Sequence, residues 1–192
     1  MSTRGRTIMY FDNSNIFQGL RDVNWRIDVK KLITKLQKDG DIWQTHFFAA
    51  VTDPPRFSQS NFYKYLKQIL RWEIYLFPLG SKTLKCFECG KTRRVWIEKG
   101  VDVAIATKML THAINKAFDT AILVSGDKDY LETVKTIKNL GLRVEIVSFR
   151  HSLSKDLADE SSAPVIYLDD IKADIILEKV DTETEKLMST DS

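Results

Sequence analysis

Apolar and polar positions along this chain follow two alternating patterns: short continuous apolar runs, and longer stretches with apolar residues at helical spacing. Thr7–Phe11 is an apolar run that stops at Asp12-Asn13-Ser14-Asn15, a cluster typical of turns and helix N-caps. A helix from about Ile16 follows, then a second with Val29, Leu32, Ile33 and Leu36 on one side, closed by Asp39-Gly40. Ile42–Val51 reads as a buried strand, Ser58–Leu70 as a helix and Glu73–Phe77 as a third strand. Residues 81–98 are basic and less regular, and read as a hairpin inserted into the domain and turning at Cys89-Gly90-Lys91. The alternation then resumes with a helix over Val101–Asn115, a strand over Thr120–Val124, a helix over Tyr130–Leu140 and a strand over Arg143–Ser148. A last short strand, Pro164–Tyr167, leads into a small helix. Strands apolar on both faces, alternating with helices, specify a mainly parallel sheet covered on both sides.

A length of 192 residues suits one domain, spanning 1–180, with 181–192 as a polar tail expected to be disordered. The 43% hydrophobic content is that of a globular protein. No apolar run approaches the roughly 18–20 residues of a membrane span. The opening MSTRGRTIMYFDNSN lacks a secretory leader. Cys86 and Cys89 sit too close together to staple a fold. Together these features predict a soluble, cytoplasmic protein with no membrane association. The net charge of +3 is unevenly spread: Asp159–Ser192 holds 10 acids against 3 bases, leaving the first 158 residues with 26 bases against 16 acids. A basic body favours an anionic partner; the competing explanation is that both ends only keep the protein soluble.

The acids sit where a parallel sheet binds ligands, outside the carboxyl ends of its strands. Asp12 directly follows the first strand, and Asp127 and Asp129 follow the Thr120–Val124 strand after a Ser-Gly pair. Glu98 and Asp102 are four residues apart, and would point the same way on a helix beginning near Glu98. Carboxylates converging without bases repel one another, and a hard divalent cation relieves that repulsion. Taken singly, Asp12 and Asp127 are well explained as helix N-caps. Capping accounts for neither Asp129 nor the Glu98/Asp102 pair.

Tyr10-Phe11-Asp12-Asn13-Ser14-Asn15, Glu98-Lys99-Gly100-Val101-Asp102-Val103 and Ser125-Gly126-Asp127-Lys128-Asp129 resemble, in that order, the motifs of NYN domains. The chain is similar to their LabA-like branch, a bacterial group within the PIN-like nuclease superfamily, from about Arg6 to about Leu168. The resemblance implies a three-layer α/β/α PIN-like fold with strand order 3-2-1-4-5. It also implies a ribonuclease site in which Asp12, Asp102, Asp127 and Asp129 bind one or two Mg²⁺ or Mn²⁺ ions and water activated there hydrolyses an RNA phosphodiester. In that scheme Glu98 acts through water, Asn15 orients Asp12 or the scissile phosphate, and Asn13 and Ser125 hold the loops. Many LabA-like proteins are regulators, so the alternative is a catalytically weak or silent module of the same family that binds RNA or protein. A phosphatase or nucleotide hydrolase is a third option, which the basic insertion disfavours.

Lys82, Lys85, Lys91, Arg93, Arg94 and Lys99 lead into the proposed site and suit RNA phosphates, while Phe87 and Trp96 suit stacking on unpaired bases. The competing explanation is a solvated hairpin whose aromatics rest on the core. Cys86-Phe-Glu-Cys89-Gly90 looks like one knuckle of a zinc ribbon, but tetrahedral Zn²⁺ needs four ligands. A second subunit in a homodimer would have to complete it; otherwise the pair is a reduced turn that binds nothing. His46 reads as a core or edge histidine, and Trp25, Trp43 and Trp72 as packing residues.

Overall fold

A computed structural model describes residues 4–52, 54–85 and 87–178. The polar tail 181–192 and Cys86 lie outside them.

Six strands form one sheet: β1 (Thr7–Asp12), β2 (Ile42–Val51), β3 (Glu73–Pro78), β6 (Thr120–Val124), β7 (Arg143–Ser148) and β8 (Ile166–Tyr167). Their order is β3-β2-β1-β6-β7-β8, and every neighbouring pair is parallel. Leaving the inserted hairpin out of the count, the first five strands keep the expected 3-2-1-4-5 order, and β8 extends the edge beyond β7. The remaining strands, β4 (Gly80–Lys85) and β5 (Thr92–Ile97), pair with each other as an antiparallel hairpin apart from that sheet.

Every residue of β1 is buried, because the strand sits between β2 and β6 and both its faces are covered. The pleat sends Met9 and Phe11 to one face and Ile8 and Tyr10 to the other. The Met9 face is packed by Ile16 of α1 (Asn13–Arg21), by Leu32 and Leu36 of α2 (Val29–Leu36), and by Tyr63 and Leu66 of α3 (Phe57–Gln68). The Ile8 face takes Val101, Ile105 and Met109 of α4 (Val101–Ile114) with Val134 and Ile137 of α5 (Leu131–Asn139). The short helices α6 (Lys155–Asp159) and α7 (Lys172–Ile175) add Leu157 to the second core and Ile175 to the first. The molecule therefore has three layers, with helices on both sides of a parallel sheet.

Several elements depart from expectation for local reasons. The first helix begins at Asn13 rather than Ile16, because the Asp12 side chain caps it. Trp72 is in the core, whereas Trp43 is 64% exposed on β2, contrary to its expected packing role. His46 is a core histidine: it lies flat against Tyr10, and its Nδ1 is 3.2 Å from the Tyr75 hydroxyl. Burial pushes its pKa down to about 3, so it is neutral in the folded protein.

One buried ion pair was not expected. Arg4, just before β1, reaches Glu145 on β7, with its Nε donating to Oε2 at 2.8 Å; both side chains are nearly inaccessible. The same guanidinium donates to the Leu36 carbonyl, tying the start of the chain to the end of α2. Removing one member of a buried pair strands the other charge. Glu145→Ala is therefore expected to lower unfolding free energy by about 3–5 kcal/mol in urea titrations, and a change under about 1 kcal/mol would show that Asp39, 3.7 Å from the same guanidinium, takes over as its partner.

Candidate functional site

The site is assembled at the carboxyl end of β1. Asp12 is 1% exposed, and four groups of the chain lie within hydrogen-bonding distance of its carboxylate. Its Oδ1 accepts the N–H groups of Ser14 and Asn15, each at 3.1 Å, as the N-cap of α1. Its Oδ2 accepts the Ser125 hydroxyl at 3.0 Å, from the loop that follows the neighbouring strand β6. The Tyr130 hydroxyl lies 3.1 Å from the same Oδ2 and 3.1 Å from Asp102 Oδ1. A phenol has one proton, so it can donate fully to only one of these two acids at a time. The two carboxylates are thus held no farther apart than twice that distance.

Tyr130 was not singled out from the sequence. It ends a short 3₁₀ segment, Lys128–Tyr130, and its ring is fully buried in the core facing α4. Burial, with Asp12 and Asp102 beside it, holds its pKa far above the ordinary range, so it remains a donor. The detectable signal is a tyrosine immediately after Asp127-Lys128-Asp129, an aromatic whose polar tip needs a partner once its ring is buried.

Asp127 caps the 3₁₀ segment, its Oδ1 accepting the Asp129 N–H at 3.0 Å, and its own N–H points to Ser125 Oγ at 3.3 Å. Asp129 is exposed. The Asn15 side chain does not reach Asp12; its Oδ1 accepts the Gly126 N–H at 3.0 Å and fixes the loop that carries Asp127. Gly126 has no room for more: a Cβ there would lie 2.4 Å from the Ser152 carbonyl oxygen and 2.5 Å from Ser148 Oγ.

Glu98 does not share a helix with Asp102. The helix α4 starts at Val101, and its N-cap, Gly100, has φ +83°, a left-handed conformation suited to glycine that turns the chain between them. Glu98 is an exposed residue of the link after β5. Asp102 projects from the first turn of α4, toward Tyr130.

The electrostatics follow from this geometry. Burial raises the Asp12 pKa to about 6 against the opposing pull of the Asn15, Ser125 and Tyr130 hydrogen bonds, and Asp102 raises it further. Asp102 is also pushed up, first by partial burial and then by the charges of Asp127 and Asp129, while the Tyr130 hydrogen bond lowers it. Among the described residues no lysine or arginine pairs with any of these four acids. The donors are all hard carboxylate oxygens, the set that Mg²⁺ and Mn²⁺ prefer. In chemistry and charge they fit such an ion. Among the described residues no three acidic, histidine or cysteine side chains stand arranged around a common cation position. Cys89 is exposed.

The NYN domain family model matches residues 6–169, nearly the whole described chain. The chain belongs to the NYN domain family. This NYN domain also resembles the crystal structure of a protein of unknown function from Vibrio parahaemolyticus, with a TM-score of 0.68 and 20% identity. The match covers 92% of this chain and 99% of that one, and at this identity it speaks for the fold alone. No curated protein matches the chain. Among the described residues no helix is long and apolar enough to cross a membrane.

Two outcomes follow for the NYN site. A carboxyl whose folded pKa is raised binds protons more tightly folded than unfolded, so its contribution to stability falls as pH rises between the ordinary value of 3.8 and about 6. Asparagine caps a helix as well as aspartate and carries no charge. In chelator, Asp12→Asn is therefore expected to match or exceed wild-type stability at pH 7.5, by up to about 3 kcal/mol, with the gap closing near pH 4. Thermal melts across that pH range check this; a variant that melts well below wild type at pH 7.5 contradicts it. Tyr130→Phe removes the one hydroxyl proton that Asp12 and Asp102 share and is expected to cost about 1–3 kcal/mol in denaturant titrations.

Proposed function

We propose that this NYN domain is a divalent-metal-dependent ribonuclease of the PIN-like, LabA-like type. Asp12, Asp102, Asp127 and Asp129 would hold one or two Mg²⁺ or Mn²⁺ ions. The observation that carries the proposal is the Asp12–Tyr130–Asp102 bridge, two acids gathered at the end of the central strand with two more close enough to perturb Asp102 and, among the described residues, no base paired with them. Structural need alone would favour a lysine or arginine in that company. When bound, such an ion would supply an acidified water for attack and positive charge to offset the negative charge building on the phosphate.

The chain's own contributions are distinct. Two backbone N–H groups and the Ser125 hydroxyl fix the orientation of Asp12. Tyr130 sets the spacing between Asp12 and Asp102, and Asn15 holds the loop that presents Asp127. Lys82, Lys85, Lys91, Arg93, Arg94 and Lys99 provide the charge that draws RNA phosphates.

One observation favours a second reading, a silent regulatory module that binds RNA or protein. Asp12 and Asp127 each already serve as caps, so the fold accounts for both without chemistry. Purified protein with end-labelled RNA separates the two. Cleavage is expected with Mn²⁺ or Mg²⁺, abolished by chelator, and reduced on the order of 100-fold or more in Asp127→Asn, the scale seen when one transition-state-stabilising group is lost. Cleavage indifferent to that substitution overturns the assignment of Asp127; RNA binding with no cleavage under any of these metals establishes the regulatory module.

A further inference from the structure

The hairpin β4–β5 has two unlike faces. Residues paired directly across an antiparallel ladder share a face. Ser81/Trp96, Thr83/Arg94 and Lys85/Thr92 therefore make one face, and Gly80/Ile97, Lys82/Val95 and Leu84/Arg93 the other. Gly80, Val95 and Ile97 are half-buried, so the second face is turned in part toward the protein. All six residues of the first face are exposed, including its tryptophan. Folding pressure alone would place the largest apolar side chain of the hairpin on the inward face. Here Trp96 is 60% exposed on the outward one.

Its neighbours are suited to one kind of partner. The Arg94 guanidinium lies over the Trp96 ring at 5.3 Å, and Lys85 stands farther along the same face. Neither cation forms an ion pair among the described residues. A flat aromatic surface flanked by unneutralised cations matches a strand that offers a π-face and a phosphate at each nucleotide. The aromatic face is of use only if bases are unpaired, because in a duplex their faces are already covered by stacking. The hairpin leaves the carboxyl end of β3 and returns into α4, whose first turn carries Asp102, so it flanks the same end of the sheet as the acids.

We propose that the outward face of this hairpin, built on Trp96, Arg94 and Lys85, is a docking site for an unpaired RNA segment, with one base stacked on Trp96 and the two cations on adjacent phosphates. That the strand is RNA rests on the ribonuclease reading; the face itself rests on the hairpin geometry.

The test measures binding in chelator, where no cleavage runs, by fluorescence anisotropy of a labelled oligouridylate, with a fully paired RNA duplex as the comparison. Trp96→Ala is expected to weaken single-strand binding about ten-fold with an unchanged melting temperature, since the side chain supports no core. Trp96→Phe is expected to keep most of the affinity, and the opposite-face pair Lys82→Ala/Arg93→Ala to lose less than Trp96→Ala at moderate salt. Equal binding of duplex and single strand overturns the proposal, as does wild-type affinity in Trp96→Ala. An acidic peptide that displaces the RNA and binds in a Trp96-dependent way also overturns it, in favour of a protein partner. Failure of the nuclease reading has a different signature: Trp96-dependent binding without metal-dependent cleavage leaves the docking face in place, while cleavage with Trp96-independent binding leaves the nuclease and removes the face.

Discussion

A carboxylate buried at the end of the central strand is the constraint around which the rest of the site is arranged. Asp12 cannot be solvated where it lies, so the chain must supply its hydrogen bonds. Two come from the start of α1, one from the loop after β6 and one from the end of the 3₁₀ segment before α5. These elements are joined to β1 by that one side chain, and through Tyr130 the set reaches α4 as well. The parallel sheet makes this convergence available, because β1 and β6 are neighbours that run the same way and end together.

Four donors do not make the buried charge comfortable. They lower the proton affinity of Asp12, yet burial still outweighs them, and Asp102 adds repulsion. Asp12 therefore holds a proton to higher pH than an exposed carboxylate does. Hydrogen-bonded order and electrostatic tension coexist because they act on different quantities, the first on direction and the second on charge.

Much of this was legible from residue order. The two-sided apolar character of Thr7–Phe11, Ile42–Val51 and Thr120–Val124 announces buried parallel strands, and the acids at their ends follow directly. The Asp12-Asn13-Ser14-Asn15 cluster signals a cap, although it left open that the cap would itself start the helix. What escaped was long-range. Tyr130 looks like an ordinary core aromatic until the fold brings its hydroxyl between residues 118 and 28 positions away. Arg4 and Glu145 are 141 positions apart and belong to no motif. The expected Glu98/Asp102 alignment failed at Gly100, where a left-handed residue restarts the chain direction and helical spacing no longer applies.

The two kinds of acid at this site carry different information about history. Asp12 and Asp127 are used by the fold as caps, so a relative without chemistry would still be under pressure to keep a capping side chain there, aspartate or asparagine. Asp129 is exposed, and its side chain accepts no hydrogen bond among the described residues, so structure alone gives no reason to retain it. In related chains, the residue at this unburdened position therefore reports on pressures other than folding, which the capping positions cannot do.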